Sequence, residues 1–254
     1  MSAKTVLAFG CHPDDVEFTC AGTLALLHQA GWAVHLATAT GGECGSVELS
    51  RAEIQKVRLA ECAKSAAALG AKYSYAGAED LEIEFSAELR AKFVDVVREA
   101  KPDVVITQPP ADYMIDHEET SKLVRHACFG APMPNVPSPK FKPIAHVPAL
   151  FYTDAMDSTD IFGRPAPIGF YVDITSVIET KAEMLACHAS QREWLRKHHG
   201  IDEYLDDMKR QSAARGKRVG VKYAEAFVQH LGHGYPHDNS IADVLKELVR
   251  FPGK

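Results

Sequence analysis

The chain has 254 residues, 46% hydrophobic and 24% charged, with a formal net charge of −6. That size and balance suit one large α/β domain with a sizeable core. The negative charge argues against a nucleic-acid partner, and no run approaches the roughly 18 apolar residues of a membrane span. The first residues lack the pattern of a signal peptide, so a cytoplasmic location is expected. Six scattered cysteines (Cys11, Cys20, Cys44, Cys62, Cys128, Cys187) form no C-x-x-C pair, which reads as free thiols rather than a thiolate metal site.

In chain order, Thr5–Phe9 is a short apolar run ending at Gly10, as a buried parallel strand does. A helical pattern from Ala21 to Ala30 stops at Gly31, and Val34–Thr38 reads as a second strand. After the loop from Gly41 to Ser46, a helix is expected from Ser50 to Leu69, started by the Ser50/Glu53 capping box and stopped by Gly70. A short strand near Tyr73 follows, then a helix over Ser86–Ala100, a buried strand over Asp103–Thr107 and a helix from His117 to about Phe129. The segment from Ala131 to Pro148 holds six prolines and reads as an irregular excursion, either a rim of the site or an oligomer contact. Beyond it come strands over Ala149–Thr153 and Phe170–Ile174, a long helix over Ser176–His198, a second helix, and a last one over Ile241–Val249. The alternation predicts an α/β fold. It is a single domain over 1–254 with a Rossmann-like, doubly wound, mostly parallel sheet and helices on both faces.

In such a sheet, ligands bind outside the carboxyl ends of the strands. Two loops there concentrate His and Asp: Gly10-Cys11-His12-Pro13-Asp14-Asp15-Val16 and the stretch from Gln108 to His117. His12 and Asp15, three residues apart at a strand-to-helix turn, can share one cation, and His117 is the best third ligand. Asp14 beside them supplies a carboxylate free of the metal, which hydrolysis needs for proton transfer. The first loop lacks G-x-G-x-x-G and sets two carboxylates where a pyrophosphate would lie, against a nucleotide-binding reading.

These residues resemble the PIG-L (LmbE-like) deacetylases. The likeness starts at Gly10–Glu17 with Ala21-Gly22-Thr23. It continues through Thr40-Gly41-Gly42-Glu43, Arg58-Leu59-Ala60-Glu61 and Asp112…Asp116-His117. It then extends to His188-Ala189-Ser190-Gln191 and Gly220–Phe227. The resemblance implies an N-deacetylase acting on an N-acetylglucosamine-type amide, with one zinc ion, or another divalent metal, on His12, Asp15 and His117. It implies Asp14 as general base and Asp116 as a second catalytic acid. Arg58, Glu43 and His188 become substrate-pocket residues. A small-molecule substrate and a homo-oligomer, trimer or hexamer, are implied as well.

One position departs from the family pattern. The usual first histidine of H-P-D-H, an oxyanion donor, is Met114 here, followed by Ile115. Methionine donates no hydrogen bond. His188, His146 and Tyr113 are the candidate replacements, and the alternative reaction is a metal-dependent hydratase acting on an unsaturated dicarboxylic acid. His230, His233 and His237 read as an exposed polar tail rather than a metal site, and His198-His199 as a helix end. Glu225 either lines the pocket or holds a buried arginine.

Overall fold

The structure is a computed structural model that describes residues 3–138, 140–192 and 203–253. Its centre is β1 (Thr5–Gly10), hydrogen-bonded in parallel to β2 (Ala33–Thr40) on one side and to β4 (Val104–Thr107) on the other. Val6, Leu7, Ala8 and Phe9 are fully buried because both faces of this strand are covered. The two-residue period divides them. Val6 and Ala8 pack with α2 (Ala21–Gln29) and α6 (Ile178–Leu185), while Leu7 and Phe9 pack with α4 (Ala87–Ala100) and α5 (Ile115–Gly130). Phe9 stacks on Phe93 with ring centroids 4.7 Å apart. Burying a side chain of that size stabilises the fold by about 1.5–3 kcal/mol.

Among the described residues the sheet has eight strands in the order β3-β2-β1-β4-β5-β7-β6-β8. The first five are parallel, with β3 at Lys72–Ala78 and β5 at Ala149–Thr153. From β1 the chain winds outward through β2 and β3, then returns to the other side for β4. The strand order therefore reverses between β1 and β4, which opens a crevice at their carboxyl ends. The expected doubly wound sheet is present.

The remaining strands, β6 (Phe170–Asp173), β7 (Ala224–Gln229) and β8 (Val249–Arg250), are antiparallel additions. β7 was not foreseen. Its AEAFVQ sequence carries little β-branched signal, and it becomes a strand by pairing with both β5 and β6. The expected last helix is shorter: α8 covers Ser240–Leu245, and Val249 belongs to β8.

Other boundaries moved for local reasons. α3 runs Arg51–Ala68, with the Ser50 N–H donating to Glu53 at 3.0 Å and Gly70 following at positive φ, as expected. A five-residue helix, α1 (Asp15–Thr19), begins directly after the first loop. α5 starts at Ile115, two residues early, so that Asp116 and His117 lie in its first turn. α6 ends at Leu185, where a long helix to His198 was expected; residues 193–202, with His198 and His199, lie outside the described set. α7 spans Glu203–Arg218. Among the described residues no helix is long and apolar enough to cross a membrane.

Candidate metal centre and catalytic cavity

β1 ends at Gly10, where a Cβ would lie 3.0 Å from Val16 Cγ2 and 3.2 Å from Asp15 Cβ. Glycine lets the chain fold back tightly enough to set His12 and Asp15 over the strand end. Asp14 then takes a left-handed conformation (φ 98°, ψ −23°) as the N-cap of α1. An aspartate at this position ordinarily accepts a helix N–H. Here the side chain makes no capping bond.

The three expected ligands converge. His12 Nδ1 is 3.2 Å from His117 Nε2, and each of these nitrogens is 3.6 Å from Asp15 Oδ2. Two nitrogens and an oxygen bound tetrahedrally at about 2.0–2.1 Å would be about 3.3–3.4 Å apart, so the triad matches a zinc-sized ion. Cys11 Sγ is close by, 3.6 Å from His12 Nε2, the nitrogen turned toward Asp80 rather than toward the triad.

The second nitrogen of each histidine faces a carboxylate. His12 Nε2 lies 3.1 Å from Asp80 and 3.5 Å from Asp116, and His117 Nδ1 lies 3.0 Å from Asp112. Such partners set the tautomer and orient a metal-binding imidazole. Burial alone would lower both imidazoles, yet Cys11 and the carboxylates of Asp116, Asp15 and Asp80 raise His12 well above its ordinary value, and Asp15 and Asp112 raise His117. The centre therefore favours positive charge, as a cation site must. Burial opposes ionisation of Asp15, but His117 and His12 hold its carboxyl well below the usual range. Three donors fix its Oδ2: the N–H groups of Cys11 (3.1 Å) and His12 (2.6 Å) and the amide of Gln108 (2.8 Å).

The triad forms the floor of a cavity of about 420 Å³. Asp14 lines it, and burial with the neighbouring Asp15 raises its carboxyl against the pull of Arg58. Arg58 also lines it, donating to Pro13 O (2.8 Å) and Gly42 O (3.0 Å), with Nη2 3.5 Å from Asp14 Oδ2. Further lining comes from Asp154, Met156, Tyr204, Asp207, Gln211 and Arg215. Arg215 donates to Asp154 at 2.7 Å. Beside this lining, the 154–161 loop and Tyr113 enclose an adjoining hollow of about 270 Å³.

Several expected site residues lie elsewhere. Glu43 is not a cavity wall; it accepts the Asp80 N–H at 2.7 Å and so holds a carboxylate partner of His12. His188 is only 1% exposed and faces Glu17 at 3.2 Å behind the cavity lining. Asp116 likewise stands behind His12, accepting from Leu81 N at 2.7 Å. His146 lies by Asp103, at the opposite end of β4, and cannot reach the cavity.

No described residue of the proline-rich excursion lines the cavity; Arg98 binds the segment down through the carbonyls of Ala131, Met133 and Phe141. His230 is held by Tyr152 OH at 3.0 Å, and His233 and His237 are exposed. Asp80, Gln108, Tyr204 and Arg215 were missed. Asp80, two residues past β3, had a signal in the strand-end rule; Tyr204 had none.

The PIG-L family model, described as GlcNAc-PI de-N-acetylase, matches residues 7–128. A diacetylchitobiose deacetylase of Thermococcus kodakarensis is 28% identical over 194 residues, covering 74% of this chain and 70% of the relative. A 4-oxalmesaconate hydratase of Pseudomonas putida is 25% identical over 237 residues, covering 89% of this chain and 86% of the relative. The solved N,N'-diacetylchitobiose deacetylase from Pyrococcus horikoshii superimposes with a TM-score of 0.75 at 24% identity, over 94% of this chain and 89% of that one.

Proposed function

We propose that this chain, which carries a PIG-L family domain over residues 7–128, is a metal-dependent N-deacetylase of an N-acetylglucosamine-type amide. The observation that carries this reading is the convergence of His12, Asp15 and His117 beside a carboxylate, Asp14, that faces the same cavity. Zinc is the ion this nitrogen and oxygen donor set suits. A cytoplasmic location and a homo-oligomeric state belong to the same proposal.

A divalent ion on these ligands would polarise the acyl oxygen and acidify a water. Asp14 takes the proton as the water attacks the amide carbon. It returns that proton to the nitrogen as the C–N bond breaks, releasing acetate and a free amine. Met114 lines the cavity without a donor to offer, whereas the Tyr113 phenol lines it and lies edge-on to His117, with centroids 5.4 Å apart. The Tyr113 ring is 64% exposed, its phenol is an ordinary neutral O–H donor, and it is the donor we assign to the oxyanion.

The hydratase alternative draws on Met114 and on the hydratase relative. Cavity charge weighs against it. Asp14, Asp15, Asp80, Asp112, Asp154 and Asp207 line the wall, while Arg58 and Arg215 are taken up by carbonyls and aspartates. A neutral, hydroxyl-rich amide suits that surface better than a dianion.

Zinc-loaded protein offered N-acetylated sugars and unsaturated diacids should release acetate from the former only. Asp14→Asn should keep its zinc and lose about 10²–10⁴-fold in kcat; wild-type turnover in that variant would refute the assignment.

A further inference from the structure

Asp14 occupies a helix N-cap position without capping the helix, so something else directs its carboxylate. Two groups meet on a single oxygen. The Tyr204 phenol donates to Asp14 Oδ2 at 2.5 Å, and Arg58 Nη2 approaches the same oxygen at 3.5 Å. Oδ1 receives no hydrogen bond among the described residues, and Asp14 faces the cavity. The Tyr204 ring is steadied against Phe18, centroids 6.2 Å apart, and Phe18 follows Asp14 by one turn of α1. Tyr204 belongs to α7, 190 residues away in sequence and outside the segment matched by the family model.

We propose that Tyr204 is a positioning residue: with Arg58 it holds Oδ2 of Asp14, leaving Oδ1 to take the proton from the attacking water and pass it to the leaving amine. This rests on the deacetylase reading above. A hydrogen bond from a neutral phenol to a carboxylate is strong and directional, and it fixes one oxygen without removing the charge. A proton acceptor so fixed needs no rotamer search when the substrate arrives, and displacements of about 1 Å in such geometry cost about 10²-fold in rate.

The test is Tyr204→Phe, which removes one oxygen atom and keeps the ring. With zinc-loaded full-length enzyme and an N-acetylglucosamine glycoside, kcat should fall about 10- to 100-fold while KM stays within about threefold. Zinc content and melting temperature should match wild type. On an Asp14→Asn background, Tyr204→Phe should cost nothing further, because its effect passes through that carboxylate. Unchanged kcat, a rise confined to KM, or an equal loss in both backgrounds would overturn the proposal.

Full activity in Asp14→Asn, or no turnover of any N-acetylated sugar by wild type, would instead remove the deacetylase reading. In that event crystal structures of the zinc-loaded proteins decide the positioning role by themselves. Wild type should keep the phenol on Oδ2, and Tyr204→Phe should show the Asp14 carboxylate turned or split between rotamers. An Asp14 unmoved in the variant would overturn the role.

Discussion

His12 and His117 are each held at both ring nitrogens, one toward the centre of the triad and the other toward an aspartate. The His12–Asp80 contact at 3.1 Å leaves that imidazole one useful tautomer, with its lone pair on Nδ1. Asp80 is itself fixed from behind by Glu43, through its backbone N–H at 2.7 Å, and it accepts the Cys44 N–H at 2.9 Å. Asp80→Ala should therefore weaken zinc binding by about 10- to 100-fold, read by competition with a chromophoric chelator. Wild-type affinity in that variant would show that Asp116, 3.5 Å from the same nitrogen, suffices. At this scale the candidate ligands that converge were legible, since H-x-x-D at a strand end is a local pattern. Of the supporting acids, Asp112 stands five residues before His117 in the same stretch of chain, whereas Asp80 reaches His12 from a separate loop and was not legible.

Among the elements, the start of α2 shows how far a motif can mislead about its role. Glu225 does not line the cavity. Its carboxylate accepts the N–H groups of Gly22 (2.9 Å) and Thr23 (2.7 Å) and pairs with the buried Lys181 at 2.5 Å. One side chain thus joins β7 to α2 and α6, with a negative charge at a helix N-terminus, where unpaired N–H groups and the helix dipole favour it. Burial lowers Lys181 although Glu225 acts against that shift, so the ammonium depends on its partner. Glu225→Gln should destabilise the fold by about 3–5 kcal/mol in urea unfolding, with zinc content unchanged. A loss below about 1 kcal/mol would mean that Lys181 finds another partner or sheds its charge. The sequence left a buried arginine or a pocket wall open for Glu225, and it was a lysine that arrived.

Across the whole molecule, the candidate cation site bridges two segments that the sheet merely sets side by side: the loop after β1 and the first turn of α5. An ion bound there ties the two sides of the crevice together and stabilises only the folded state. At 100 times its Kd it adds about 2.7 kcal/mol. Chelation should lower the melting temperature and abolish turnover, and added zinc should restore both; a melting temperature indifferent to chelation would place the ion elsewhere.

Short-range order made the doubly wound core, the bounds of α3 and the His12-Pro13-Asp14-Asp15 turn readable without coordinates. Strand periodicity, a capping box and a tight glycine turn each act over a few residues. The remaining wall of the cavity, with Tyr204 on Asp14 and Arg215 on Asp154, depended on β7 entering the sheet between β5 and β6 and on α7 packing against β7. Those are packing outcomes between segments more than 60 residues apart, and no local pattern encodes them. The sequence by itself determined which histidines and aspartates stand at the strand ends, because strand ends and tight turns are local. Only the tertiary structure decided which of them meet and what aims them, because that depends on packing between distant segments.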